Sequence, residues 1–140
     1  MMTVNIQALV TYRLEQADES LEAARTLLDK KLIRPSVNRA YYAMFYAVLA
    51  LLAQGKKETS KHSGAIALFD KDFVKQGIFK KEYSRWLHDA FDLRQRSDDC
   101  NGNQSMVLAL LKDSGNAFSS HCLAISISSD IYRFTFSQYS

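Results

Sequence analysis

The feature that most constrains this chain is an unbroken run of 14 apolar and aromatic residues at positions 40–53. Such a run is too short to cross a bilayer and is typical of a helix buried in a protein core. Glycine and proline together make up only six of the 140 residues, which argues against a turn-rich all-β protein. The N-terminal residues, among them Asn5, Arg13 and Glu15, lack the apolar block of a secretory signal, so we expect a cytoplasmic protein.

Four segments have the periodicity of amphipathic helices. The first covers residues 5–31 and repeats its apolar residues in steps of three and four. The second follows Pro35, which suits a first helical turn, with Ser36 as its cap and Gly55 placed to end it. A third helix starts near residue 62 and should end at Gly77, and a fourth follows it. The sequence therefore predicts an all-α, up-and-down bundle of four to five helices.

The second helix is apolar on most of its faces, so it is either central in the bundle or packed against a partner.

The tail differs in composition from the rest of the chain. Residues 97–140 contain ten serines and no glutamate, and residues 125–128 and 134–137 alternate with period two, a pattern typical of strands. We therefore expect residues 1–99 to form the bundle. Residues 100–140 would be an atypical C-terminal tail, part of the same domain if ordered.

Charge and cysteine usage limit the possible chemistry. Residues 1–96 carry 16 Lys/Arg and 11 Asp/Glu, so the basic excess lies in the helical part and is compatible with phosphate contact. Cys100 and Cys122 lack a CxxC spacing and are interpreted as free thiols. The three histidines share no local metal motif, so neither a metal nor a cofactor is expected. His88 and Asp92, four residues apart, are candidates for a hydrogen bond.

The second helix also carries the first candidate site residues. Arg39, Tyr42 and Tyr46 lie along one helical edge and offer a cation and two phenols beside an apolar wall. This edge could hold a phosphate, a base or a partner helix. The alternative is a core helix whose tyrosines point their hydroxyls to the rim.

Two further segments supply candidates at helix ends. His62, at the start of the third helix, could contact an anion or act as an acid or base, or it could be a simple capping residue. Arg94 and Arg96 lie near the end of the fourth helix, where arginine complements the helix dipole. Asp98 could pair with one of them or stop the helix.

Several of these stretches, in this order and spacing, resemble the HEPN domain family. They are SVNRAYYAMFY at residues 36–46, KHSG at 61–64, LF at 68–69, FVKQG at 73–77 and AFDLRQRSD at 90–98. The resemblance is to its small, single-domain prokaryotic branch and covers residues 5–99. It implies a helical bundle that often forms a homodimer and is related to the helical domain of kanamycin nucleotidyltransferase. It also implies a toxin–antitoxin type system with a separate minimal nucleotidyltransferase.

The family resemblance also implies a possible activity, because many HEPN proteins are metal-independent ribonucleases. In those, a histidine follows an arginine after four to six intervening residues, and no Arg–His pair of this chain has that spacing. Asp99 also stands where the relatives commonly have a tyrosine, and no Glu-rich helix follows it. Either the C-terminus has diverged or a change of reading frame has replaced it.

Two functions follow as hypotheses. The first is a binding module without enzymatic activity that dimerises through the apolar faces of helices two and four. It would contact a nucleotide, RNA or the nucleotidyltransferase through Arg39, Tyr42, His62, Arg94 and Asp98. The alternative is a toxin ribonuclease in which His62 is a displaced acid or base and acts with Arg94. A relic whose bundle cannot close is the third possibility.

Overall fold

A computed structural model describes residues 5–57, 59 and 61–99 of the chain. The four helices are α1 (Ile6–Asp29), α2 (Ile33–Gln54), α3 (His62–Phe69) and α4 (Lys81–Asp99), and a π-helical turn, Asp70–Val74, extends α3. These residues contain no strand, and the prediction of an all-α bundle is confirmed. The strand-like patterns and the rest of the tail lie outside the described residues.

Helix α2 is the centre of the bundle. It contacts α1, α3 and α4, and its buried side chains lie on most of its faces. The long apolar run therefore forms the protein core, and the central placement predicted for this helix is confirmed. Helix α1 packs its apolar stripe along α2, and Asn5 caps it by accepting a hydrogen bond on Oδ1 from the Ala8 N–H at 3.2 Å.

The beginning of α2 differs from the expectation. The helix starts at Ile33, two residues before Pro35, so Ser36 lies inside it and the prediction of a Ser36 cap is wrong. Proline is tolerated there because N–H groups of a first helical turn have no intrahelical acceptor. Ser36 is instead fully buried, and its hydroxyl donates a 2.7 Å hydrogen bond to the Ala24 carbonyl of α1.

Replacing Ser36 by alanine should lower the free energy of unfolding by about 1–2 kcal/mol, because the buried Ala24 carbonyl loses this donor. Ser63→Ala, at an exposed position of α3, is the matched control and should cost less than about 0.5 kcal/mol. Urea unfolding followed by circular dichroism measures both values. Equal stabilities of the two variants would contradict the role assigned to this hydrogen bond.

The glycines at the helix ends have different conformations. Gly55 closes α2 as predicted, but with φ −82°, and the left-handed residue is Lys56 at φ 58°. Gly77 has φ 76° and follows the π-helical turn, where a left-handed residue ends the third helical segment. After these two turns, α3 and α4 both pack against α2.

The apolar faces of α2 and α4 that were expected to form a dimer contact are buried within the chain. On α4 these residues include Tyr83, Leu87, Ala90 and Leu93, which are at most 8% exposed. The homodimer itself stays a prediction, and its surface must include residues outside these buried faces.

Candidate functional site

Side chains from three helices meet in an aromatic cluster on one side of α2. Its members are Tyr41, Tyr42 and Phe45 of α2, His62 of α3, and Phe91 and Arg94 of α4. Tyr41 is at the centre and is 1% exposed, whereas Tyr42, His62 and Arg94 are half-buried. The buried side of the cluster therefore belongs to the protein core, and its half-buried side chains remain accessible to a ligand.

The His62 ring is held in place by three aromatic neighbours. It stacks on Phe45, with ring centres 4.1 Å apart and planes 10° from parallel, and it meets Tyr42 edge to face at 5.8 Å. The Tyr41 hydroxyl lies 2.8 Å from His62 Nδ1. Burial raises the pKa of Tyr41 well above its usual range, so this hydroxyl stays protonated and can donate.

The tautomer of His62 sets the direction of that hydrogen bond. If the Tyr41 hydroxyl donates to Nδ1, then the hydrogen of the neutral ring must be on Nε2. Burial, followed in importance by the charge of Arg94, lowers the pKa of His62, which favours the neutral ring at neutral pH. In that tautomer His62 offers an N–H donor to a ligand and has no free basic nitrogen, whereas Nδ1 donating to the Tyr41 oxygen would leave Nε2 as a free acceptor.

Arg94 lies over two tyrosine rings of α2. Its guanidinium carbon is 5.4 Å from the ring centre of Tyr41 and 5.1 Å from that of Tyr42, within the range of cation–π contacts. The last turn of α4 contains Arg96, whereas Arg94 lies five residues before Asp99. The helix dipole thus accounts for Arg96, and the contact with the tyrosines accounts for the position of Arg94.

The structure brings together three of the five predicted site residues, namely Tyr42, His62 and Arg94. Arg39 is half-buried one turn earlier on α2 and makes no hydrogen bond or ion pair with any described residue. Asp98 lies in the last turn of α4, and its side chain is outside the description. The binding roles of all five residues remain predictions.

Two members of the cluster, Tyr41 and Phe45, were interpreted from the sequence only as core residues of the second helix. The contact of Tyr41 with His62 joins positions 21 residues apart, so no local spacing could have indicated it. The only available signal was the position of His62 at a helix start, next to a lysine.

His88 pairs with a different carboxylate from the one suggested by spacing. Its Nε2 lies 2.8 Å from Asp70 Oδ2 in the π-helical turn, so the expectation of a pair with Asp92 is wrong. Asp70 belongs to the π-helical turn that contacts α4, so the pair joins two elements and not two turns of one helix. The described residues contain no cluster suited to holding a metal ion, and none of their helices is long and apolar enough to span a bilayer.

The lowered pKa of His62 predicts a pH dependence of stability. Below the usual pKa of 6.5, the unfolded chain takes up this proton more readily than the folded chain. The stabilisation is thus complete above that pH and is lost as the pH falls towards the lower folded-state pKa. Between about pH 7.5 and pH 5, the free energy of unfolding should fall more steeply in the wild type than in His62→Gln. Parallel curves from urea unfolding would contradict this prediction.

Comparison with known proteins identifies the family of the chain. The family model of the HEPN domain matches residues 10–117, a range that contains the whole aromatic cluster, and the chain belongs to this family. The fold and the family match therefore place this chain in the class of HEPN domain proteins.

Individual relatives are similar over two thirds of the chain or slightly less. A "UPF0332 protein" of Thermotoga maritima is 38% identical over 92 residues, which are 66% of this chain and 70% of the relative. Two proteins of Methanocaldococcus jannaschii carry the name "Putative toxin". They are 40% and 36% identical over 66% and 61% of this chain. The matched residues span 66% and 58% of their lengths.

Proposed function

We propose that this chain is the binding module of a two-component system of the toxin–antitoxin type and acts with a separate minimal nucleotidyltransferase. The toxin names of two relatives support the type of system. The observation that carries the proposal is the position of the Arg94 guanidinium, over Tyr41 and Tyr42 and beside the neutral ring of His62.

The chemistry of this arrangement suits a phosphate-bearing ligand. Arg94 supplies a positive charge with several donors, and His62 adds the Nε2–H donor, while the described members of the cluster include no carboxylate. Tyr42 and Tyr46, whose ring centres are 5.7 Å apart, are half-buried and give ring surface on which a base can stack. A nucleotide or an RNA segment has both groups.

The remaining candidates extend the proposed contact surface along the two helices. Arg39 precedes Tyr42 by one turn of α2, and Asp98 follows Arg94 by one turn of α4. Residues at these spacings are neighbours on a helix surface. We assign both residues to contact with the nucleotide or with the partner protein.

The second candidate function is a metal-independent toxin ribonuclease with His62 as its displaced histidine. It is favoured by one observation, that His62 and Arg94 both contact the Tyr41 ring. A general base needs an unprotonated nitrogen that can reach the substrate, and in the tautomer proposed here the unprotonated nitrogen, Nδ1, accepts the Tyr41 hydrogen bond. The geometry therefore supports binding better than cleavage.

Co-expression with the tagged product of an adjacent nucleotidyltransferase gene tests the proposal. We expect the untagged chain to be retained with the tagged partner, and we expect the purified chain to leave single-stranded RNA intact with or without EDTA. Failure of the two proteins to co-purify would contradict the partnership. RNA cleavage in EDTA that is lost in both His62→Ala and Arg94→Ala would establish the ribonuclease instead.

The proposed module is a homodimer. Light scattering during size-exclusion chromatography should give twice the chain mass of 15.9 kDa. A mass equal to one chain at micromolar concentration would contradict the dimer and leave the partnership to be judged by the co-expression experiment.

A further inference from the structure

A groove of about 630 Å³ lies between α1, the end of α2 and the segment that leads into α3. None of its lining residues belongs to the aromatic cluster, so it is a separate site. The residues that line it are Leu9, Arg13, Leu49, Ala53, Lys57, Thr59 and Lys61.

The apolar part of the groove comes from two adjacent helices. Leu49 and Ala53 lie one turn apart on α2, and Leu9 faces them from α1. Sites for small organic ligands typically have volumes of about 300–1,000 Å³ and combine apolar walls with a few polar groups. This groove has that size, and its lining is more polar than that of a typical site, which suits a charged ligand larger than an inorganic anion.

The charged part of the lining is entirely basic among the described residues. Lys57 forms an ion pair with Asp72, which offsets its charge. Arg13 donates from Nη1 to Gln16 Oε1 at 3.1 Å, which orients the guanidinium without neutralising it. Lys61 is exposed and makes no ion pair with any described residue. Arg13 and Lys61 therefore bring two positive charges to the groove, from α1 and from the start of α3, and neither forms an ion pair with a residue in the described part of the chain.

The wall that carries Lys61 is closely packed against α3. Thr59 Oγ1 accepts a 3.3 Å hydrogen bond from the Lys61 N–H. A Cβ atom on Gly64 would lie only 2.6 Å from that oxygen, so glycine at position 64 permits the close approach. These contacts hold the backbone of Lys61 at the edge of the groove.

We propose that this groove binds a small phosphate ester, with its phosphate between Arg13 and Lys61 and its organic part against Leu9, Leu49 and Ala53. A phosphate monoester carries between one and two negative charges at neutral pH, which matches two cations better than a single carboxylate does. An uncharged apolar ligand would leave the cations without a partner, and inorganic phosphate would leave the apolar surface in water.

Isothermal titration of the full chain with two phosphate esters tests the proposal, one a nucleotide (AMP) and one a simple alkyl phosphate (hexyl phosphate). We expect at least one ester to bind in the submillimolar range and more tightly than inorganic phosphate or adenosine. Arg13→Gln and Lys61→Gln should each weaken that binding about tenfold. Binding of AMP alone would identify the nucleotide as the source of the phosphate, and binding of both would identify any phosphate ester.

Two control variants separate this site from its surroundings. Lys80→Gln removes an exposed lysine outside the groove, and Arg94→Gln alters the aromatic cluster. Lys80→Gln should bind both esters as the wild type does. Because the aromatic cluster is itself proposed to bind nucleotides, Arg94→Gln measures the part of the AMP binding that belongs to that cluster, and the part that is lost in Arg13→Gln and Lys61→Gln should persist in it. Absence of binding by both esters at millimolar concentration would overturn the proposal, as would unchanged affinity in both Arg13→Gln and Lys61→Gln. Neither result depends on whether the nucleotidyltransferase binds.

Discussion

Replacing Tyr41 by alanine is expected to lower the free energy of unfolding by about 3–5 kcal/mol. The side chain is 1% exposed, and its ring contacts Phe45, Phe91 and the guanidinium of Arg94. Its removal leaves a cavity where α2, α3 and α4 meet. Urea unfolding of the wild type and the variant measures the loss.

Two further variants make the Tyr41 prediction specific. Tyr12→Ala, at a position 54% exposed on α1, should cost less than about 1 kcal/mol. Tyr41→Phe keeps the ring and removes only the hydrogen bond to His62, so its expected cost is about 1 kcal/mol. If Tyr41→Ala were no less stable than Tyr12→Ala, the aromatic cluster could not be part of the core. If Tyr41→Ala does not fold, Tyr41→Phe still tests the hydrogen bond.

Replacing Arg94 by glutamine is expected to weaken binding of a fluorescent single-stranded RNA about 30-fold to 100-fold. The variant loses the charge and the planar set of donors of the guanidinium, which lies over the rings of Tyr41 and Tyr42. This result is expected if the proposed nucleotide or RNA contact is made by the aromatic cluster. Fluorescence anisotropy at constant salt measures it.

Arg85→Gln is the matched control for Arg94→Gln. Arg85 is exposed on the same helix and carries the same charge, but it lies outside the aromatic cluster. Its loss should change the affinity less than about threefold. An equal effect of the two substitutions would show that the RNA responds only to overall charge, and it would contradict a built site at Arg94.

The helices and the buried centre could be predicted from the sequence because both depend on local pattern. The second helix is apolar on most of its faces, so a position in the centre of the bundle was one of its two predicted placements, the other being against a partner. The apolar stripe predicted α1 to within two residues at each end, but it did not identify Asn5 as the capping residue. The prediction failed at Ser36, where local capping preference was weaker than the buried hydrogen bond to α1.

The candidate site could be predicted only in part, because helical periodicity does not specify how one helix is rotated against another. The sequence placed Tyr42 on an exposed edge and Arg94 near a helix end, but it gave no sign that they touch. The hydrogen bond of Tyr41 to His62 and the pair of His88 with Asp70 join residues 21 and 18 positions apart. Such pairs depend on how the helices pack, which local spacing does not contain.

The protonation of the His62 ring tests the central claim most directly, since binding requires a donor and cleavage requires a base. Two-bond ¹H–¹⁵N correlation spectra of the ring distinguish the two neutral tautomers and the imidazolium. At neutral pH, with Tyr41→Phe as the comparison, we predict a neutral ring with its hydrogen on Nε2 and an unprotonated Nδ1 in the wild type. A hydrogen on Nδ1, or a charged ring at that pH, would contradict the account.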